Sequence, residues 1–308
     1  MRPIHVGIPI SYDYKYLPLC LKQIYDHADK ITLAIDINRM TWAGKSYEID
    51  ESFLSEILAN DPFHKISLYE DDFCKPELST MGCDKRERRM IKQYMKSDEE
   101  DAWHLQLDTD EYFIDFQSFV KYLHKIEAIY KGDVSVCVKW KTIFKITSQG
   151  IIIANDNEGL GYFPVASIGG SRWNPSPSEI RICADFSVLH QSWGRSEDEV
   201  QFKIANWSHN GDFNVENYFF FWKSVNKYNA PYIHNCHPLG EKAGWNWLQY
   251  IDGDMNNVIT RLKECEPDIA FRPSVIRHAK NRKLMESIRS NKLVQKIKSL
   301  VKGVISKR

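Results

Sequence analysis

The sequence predicts an α/β protein whose mainly parallel sheet is flanked by helices. Three observations predict it. Strand-like and helix-like segments alternate through roughly the first 110 residues, as repeated β-α units do. The strand-like segments end on acidic residues, Asp36 and the pair Asp108-Thr109-Asp110, and ligands of doubly wound sheets bind at the carboxyl ends of strands. The chain has 308 residues, 43% of them hydrophobic, which is enough to bury a substantial core.

Residues 4–8 read as the first strand, and Leu17, Cys20, Leu21, Ile24 and Tyr25 then recur at helical spacing. Residues 31–35 form a second strand, 53–58 belong to a helix, and 65–69 form a third strand. Residues 84–95 have helix composition and carry Arg86, Arg88, Arg89 and Lys92. The fourth strand, 103–107, leads into the aspartate pair. A helix over 116–130 follows. The strand-rich sequence after it covers 134–139, 142–146, 151–154 and 180–189, where β-branched and aromatic residues dominate. Ser167-Ile168-Gly169-Gly170-Ser171-Arg172 reads as a Gly-containing loop, and 196–207 and 215–227 as two further helices.

Two carboxylates one residue apart at a strand end can hold a hard divalent cation, Mg²⁺ or Mn²⁺, against a diphosphate. The motif alone is weak, since about one D-x-D is expected by chance in a chain of ordinary composition. A second copy exists, Asp252-Gly253-Asp254. It has no β-α series leading to it and reads as a turn.

The bulk composition excludes several classes. No apolar stretch approaches the roughly 20 residues of a membrane span, and the N-terminus runs straight into a strand without a signal peptide. Seven scattered cysteines without a C-x-x-C pair point to reduced thiols and a cytoplasmic setting. His234-Asn235-Cys236-His237 has no matching half and reads as ordinary structure. The formal net charge of zero hides an asymmetry. Residues 280–308 hold ten Lys/Arg and one Glu, leaving 31 basic and 40 acidic residues in 1–279, a net of −9. A body so acidic is no nucleic-acid surface. The tail, with Leu293, Ile297, Leu300, Val301 and Val304 at helical spacing among lysines, reads as a basic amphipathic helix suited to an anionic membrane face. The chain therefore divides into a main domain, 1–279, and a tail, 280–308.

With these features in place the chain resembles GT-A glycosyltransferases, and more narrowly the family-2-like enzymes of bacterial surface-polysaccharide synthesis. Gly7-Ile8-Pro9-Ile10 followed by Leu17–Ile24 resembles that family's first strand and helix. Asp36 stands where an acidic residue often meets the nucleotide base or ribose. Residues 103–113 match the D-x-D strand followed by Glu and an aromatic. Leu189-His190-Gln191-Ser192-Trp193 resembles the late strand whose histidine completes the metal shell. The resemblance covers roughly residues 3–210.

It implies a metal-dependent transferase that moves sugar from a nucleoside diphosphate sugar, UDP-linked by expectation, to a saccharide or lipid-linked saccharide acceptor. Asp108, Asp110 and His190 would hold Mn²⁺ or Mg²⁺, Asp110 directly and Asp108 nearer the ribose or donor sugar, with Glu111 a further candidate ligand. His209 is the chief rival to His190. Tyr12 would stack on the base, and one arginine of the helix before D-x-D, Arg89, would face the nucleotide. Arg195, Lys203, Asn206 and Trp207 would pin diphosphate or acceptor. No clear x-Glu-Asp motif of the kind that supplies the base of inverting members stands out, and the Q-x-x-R-W motif of processive synthases is absent. Glu179 and Asp185, which follow the Gly169-Gly170 loop, are then the first candidate bases, with Glu197 and Asp198 next. A sugar-phosphate nucleotidyltransferase would want a Gly-rich loop after the first strand, which Ser11-Tyr12-Asp13-Tyr14-Lys15-Tyr16 does not supply. A catalytically inactive carbohydrate-binding protein is the alternative from another class.

Overall fold

The computed structural model describes residues 1–156, 162–172, 176, 179–206, 211–240, 244–265 and 275–278. The basic tail, His209 and Trp207 lie outside the described residues. The first half follows the β-α alternation: β1 (Ile4–Ile10), α1 (Leu17–Ile24), β2 (Lys30–Asp36), α2 (Glu51–Ala59), β3 (Ile66–Asp71), α3 (Thr80–Asp98) and β4 (Trp103–Gln106). Then come β5 (Glu111–Phe113), α4 (Phe116–Ile129), β6 (Val134–Ile146), β7 (Gly150–Asn155), β8 (Tyr162–Ser167) and β9 (Ile180–His190). The described chain continues with α5 (Glu197–Asn206), α6 (Val215–Ser224), β10 (Trp247–Asp252), α7 (Met255–Cys265) and β11 (Val275–His278).

One sheet has the order β10-β7-β6-β8-β4-β1-β2-β3, with β9 pairing β5, β6 and β11. The strands β4-β1-β2-β3 are mutually parallel, as the sequence predicts. From β8 outward the pairings are antiparallel except for β6 with β9, so the sheet as a whole is mixed. Its first half is Rossmann-like: a central sheet flanked by helices. The chain leaves β1 for β2 on one side and returns as β4 on the other. That reversal makes the carboxyl ends of β1 and β4 a topological switch point, where a crevice opens.

The core follows from burial on both faces of this sheet. Every residue of β1 is buried, and α1 contributes Leu17, Cys20, Leu21 and Ile24. Gly7 matters for the site. A Cβ there would stand 2.5 Å from Ile91 Cγ2, so glycine lets α3 lie close against β1. A second apolar cluster joins Phe144, Ile152, Trp193, Ile204, Trp222 and Trp245, so much of the aromatic content fills a core.

Residues 134–146 form one strand, not two, because its interior irregularities are absorbed as bulges against β7, β8 and β9. Residues 162–167, 247–252 and 255–265 add two strands and a helix that local pattern does not announce. Asp252 ends β10 and Met255 starts α7, so the second D-x-D is the turn the sequence suggests. Among the described residues, no helix is long and apolar enough to cross a membrane.

Candidate active site

A cleft of about 200 Å³ opens at the switch point. The segment after β1 supplies Ser11, Tyr12 and Asp13, and the segment after β2 supplies Asp36, Met40, Thr41, Trp42 and Tyr47. Glu87 comes from α3, Asp108 to Asp110 from the segment after β4, and His190, Arg195 and Lys203 from β9 and beyond. Strand ends bring these residues together from five parts of the chain.

Three arginines hold the acidic centre. Arg88 Nη2 donates to Asp108 Oδ1 at 2.7 Å, and its Nε donates to Asp84 at 2.5 Å. Arg195 Nη2 donates to Asp110 Oδ2 at 2.6 Å and to Asp13 Oδ2 at 3.2 Å. Arg172 grips Glu111 through both terminal nitrogens, at 2.8 and 2.6 Å. Arg195 is aimed by a tight turn after β9. Gln191 N–H donates to Asp110 O, Gly194 N–H to Gln191 O, and Ser192 takes a left-handed φ of 40°. This turn is why a residue five positions past the strand end reaches back to Asp110.

These contacts set the charges. Burial works against the Asp110 carboxylate, but His190, Arg195 and Lys203 outweigh it and hold its pKa well below the usual range. Asp108 is likewise lowered: burial opposes its charge, and Arg88 and Arg172 overcome it. Asp13 goes the other way, raised by burial and by Asp110 despite Arg195. Glu87, which accepts a hydrogen bond from Trp42 Nε1, is pushed up to about 8 by burial. Lys203 is pushed down to about 8 by burial and by Arg195.

The last two shifts predict a pH dependence. Below pH 8 Lys203 is charged and Glu87 neutral; above it Lys203 loses its charge and Glu87 gains one. Both changes disfavour an anion. Affinity for a nucleoside diphosphate should therefore fall as pH rises from 7 to 9, and Lys203→Met should remove part of that fall. Calorimetric titration at the two pH values checks this.

His190 Nε2 lies 3.6 Å from Asp110 Oδ1. That is too long for a hydrogen bond. It matches two ligands of one ion, each about 2.0–2.2 Å from it. Asp110 and His190 therefore fit a divalent cation as neighbouring donors, with Arg195 orienting the carboxylate from its other oxygen. Among the described residues no group of three or more His, Cys, Asp or Glu forms a ready cage. A hard cation here would take its remaining ligands from phosphate and water.

The other expected residues divide. Tyr12 lines the cleft, 43% exposed, its ring edge-on to Phe202. Asp36 also lines it, but its carboxylate accepts four backbone N–H groups, from Asn38, Met40, Phe73 and Cys74. Its first role is to shape the wall.

Arg89 is exposed, and Arg88 is the arginine that turns to the aspartates. One residue is about 100° of helix, and Arg88 shares the buried face with Asp84, Ile91, Lys92 and Met95. Glu111 is not placed as a metal ligand: it is fully buried, with Arg172, Trp140 Nε1 and the Asp108 N–H on its two oxygens.

Glu179 and Asp185 are not in the cleft. Glu179 precedes the first residue of β9 and His190 is the last, roughly 35 Å of strand away at ordinary rise. Glu179 is buried and accepts from Ser135 Oγ at 2.7 Å; Asp185 pairs with Lys139 at 2.8 Å. Order along the chain suggested them, but a long strand carries them away from the crevice. Sequence reasoning missed Asp13 and Glu87. Asp13 follows the end of β1, so the strand-end rule that marked Asp36 could have found it. Glu87 carries no such signal.

No protein-family model matches this chain, and no curated protein sequence does. Among solved structures it is similar to the mannose-1-phosphate geranyltransferase of Thermus thermophilus, at 16% identity and a TM-score of 0.27. The likeness covers 57% of this chain and 51% of that one, about half its length. Neither value assigns an activity, and the cleft has to be read from its own residues.

Proposed function

We propose that this chain is a Leloir-type glycosyltransferase that uses a nucleoside diphosphate sugar, UDP-linked by expectation, and a saccharide acceptor. One observation carries the reading. The switch-point cleft joins an ionised aspartate pair to a histidine, an arginine and a half-buried lysine, a set suited to a diphosphate. A bound Mn²⁺ or Mg²⁺, held by Asp110 and His190, would supply Lewis-acid stabilisation of the departing diphosphate. Lys203 and Arg195 add fixed positive charge in a partly desolvated site, where it counts for more than in water. The Asp36 wall with Trp42 and Tyr47 forms the end of the cleft where a nucleoside fits.

Elimination among the cleft's carboxylates favours one base. Of the cleft's carboxylates, Asp36 is saturated by backbone N–H groups. Asp108 and Asp110 are held ionised by cations, and Glu87 is protonated at neutral pH. Asp13 remains, its proton affinity raised by burial and by Asp110, as the candidate to take the acceptor hydroxyl's proton as that oxygen attacks the anomeric carbon and the nucleoside diphosphate leaves.

A screen of nucleoside diphosphate sugars for release of the nucleoside diphosphate, with saccharide acceptors and Mn²⁺, tests the function. Asp13→Asn should then lower kcat by about 10²–10⁴-fold while nucleotide affinity stays within a few-fold. Release unaffected by Asp13→Asn would remove that role. Release from no nucleotide sugar would remove the reading.

A further inference from the structure

Lys92 lies outside the cleft, on the face of α3 that packs against the sheet, and is only 5% exposed. Its ammonium meets His104 Nδ1 at 2.9 Å, Ser167 O at 3.0 Å and Ile168 O at 3.1 Å, with Ser167 Oγ at 3.4 Å. His104 Nε2 lies 3.0 Å from Glu99 O, an acceptor only. That contact places the ring proton on Nε2 and leaves Nδ1 as an acceptor. Burial, then Lys92 itself, pushes His104 down to about 3, so the ring is neutral near pH 7. Lys92 therefore offers its three protons to the ring nitrogen and the two carbonyls, with Ser167 Oγ farther off at 3.4 Å, and a neutral amine would bring only two protons.

The two carbonyls belong to the turn that delivers Arg172. Ser167 ends β8 and its hydroxyl bonds Gly170 O. Arg172 N–H then donates to Gln106 Oε1 at 2.9 Å, and the guanidinium reaches Glu111, whose Oε2 accepts the Asp108 N–H at 2.9 Å. A continuous chain of contacts runs from Lys92 through 167–172 to the first aspartate of the pair.

We propose that Lys92 is a positioning residue of the cleft, its ammonium pinning the 167–172 turn and, through Arg172 and Glu111, the Asp108 end of the aspartate pair. Its effect on turnover rests on the glycosyltransferase reading; the positioning itself does not. The latch is poised to open near neutrality. Burial, with Lys96 on the same helix adding, pushes Lys92 down to about 7, while Glu179 before β9 and Asp133 before β6 oppose the fall. On the sheet side stand His104 of β4 and, beyond it, His5 of β1, both lowered by burial, to about 3 and about 4. This gives Glu179 a part as a distant counter-charge to Lys92.

Backbone amide NMR of the full chain reads this without any substrate. The Ile168 and Gly169 nitrogens share peptide units with the two carbonyls that Lys92 bonds, so their ¹⁵N shifts report those bonds. Between pH 6 and 8.5 both should move with a common midpoint near 7, and the Asp108 amide should follow with the same midpoint. In Lys92→Met all three should lose that transition. A flat response at Ile168 and Gly169, or the same midpoint in Lys92→Met, would overturn the latch. A turn that titrates while Asp108 stays still would overturn its reach to the aspartates. If Lys92→Met does not fold, the ¹³Cε signal of Lys92 in the wild-type chain takes its place: the midpoint must coincide with that of the amides, and a different one overturns the proposal. A chain that fails every nucleotide-sugar assay but shows these shifts retains the positioning role and loses only its catalytic consequence.

Discussion

Replacing Arg172 by methionine is expected to cost about 3–5 kcal/mol of folding stability, because it leaves a buried carboxylate without its cation. Glu111 is fully buried, and the Arg172 side chain is 1% exposed. Their two-pronged contact, at 2.8 and 2.6 Å, is paired with stacking of the guanidinium over Phe163 at 4.6 Å. Desolvating two ions is costly, so the pair itself stabilises little relative to an apolar pair; the large loss comes from breaking it on one side. Arg172→Met with Glu111→Gln should therefore recover much of the loss of the single variant. Urea unfolding of the two single variants and the double variant checks this through their midpoints. A loss under about 1 kcal/mol in Arg172→Met would mean that water reaches Glu111 and that the pair does not brace the aspartates.

Asp110→Asn is expected to reduce metal-dependent transfer by about 10²–10³-fold, the scale seen when one preorganised electrostatic partner is lost. The fold should survive, since Arg195 keeps Asp13 as a partner at 3.2 Å. The variant keeps the shape of the side chain but loses the charge that faces His190 and Arg195. Asp252→Asn is the matched control. Asp252 sits at the end of β10, accepts a hydrogen bond from Tyr250 and is exposed. It should leave turnover unchanged. Equal losses in the two variants would place the chemistry somewhere other than the switch point.

The parallel half of the sheet and the strand-end position of Asp36, Asp108 and Asp110 were legible because both follow from local periodicity. An apolar run closed by an acidic residue needs no distant partner to be recognised. The position of His190, at the end of a late strand and beside Asp110, was legible in the same way. The choice of Arg89 over Arg88 failed on a single step of helix rotation, which only the packing of α3 on β1 at Gly7 decides. Arg172 and Glu111 are 61 residues apart, and nothing local in either stretch announces the other. Glu179 and Asp185 failed for a related reason. Order along the chain placed them near His190, but an extended strand moves about 3.3 Å per residue, so a few positions carry a side chain out of a cleft. Tertiary pairings of this kind are where pattern alone stops.

The most direct test of the central claim is calorimetric titration of the full chain with nucleoside diphosphates and their sugars, each with Mn²⁺ and with chelator, repeated on Asp110→Asn. A glycosyltransferase cleft at the switch point should bind at least one nucleotide sugar, more tightly with Mn²⁺, and the variant should lose the metal-dependent part of that affinity. Wild-type protein that binds none of them, or Asp110→Asn that binds them with the same affinity and the same response to Mn²⁺, would contradict it.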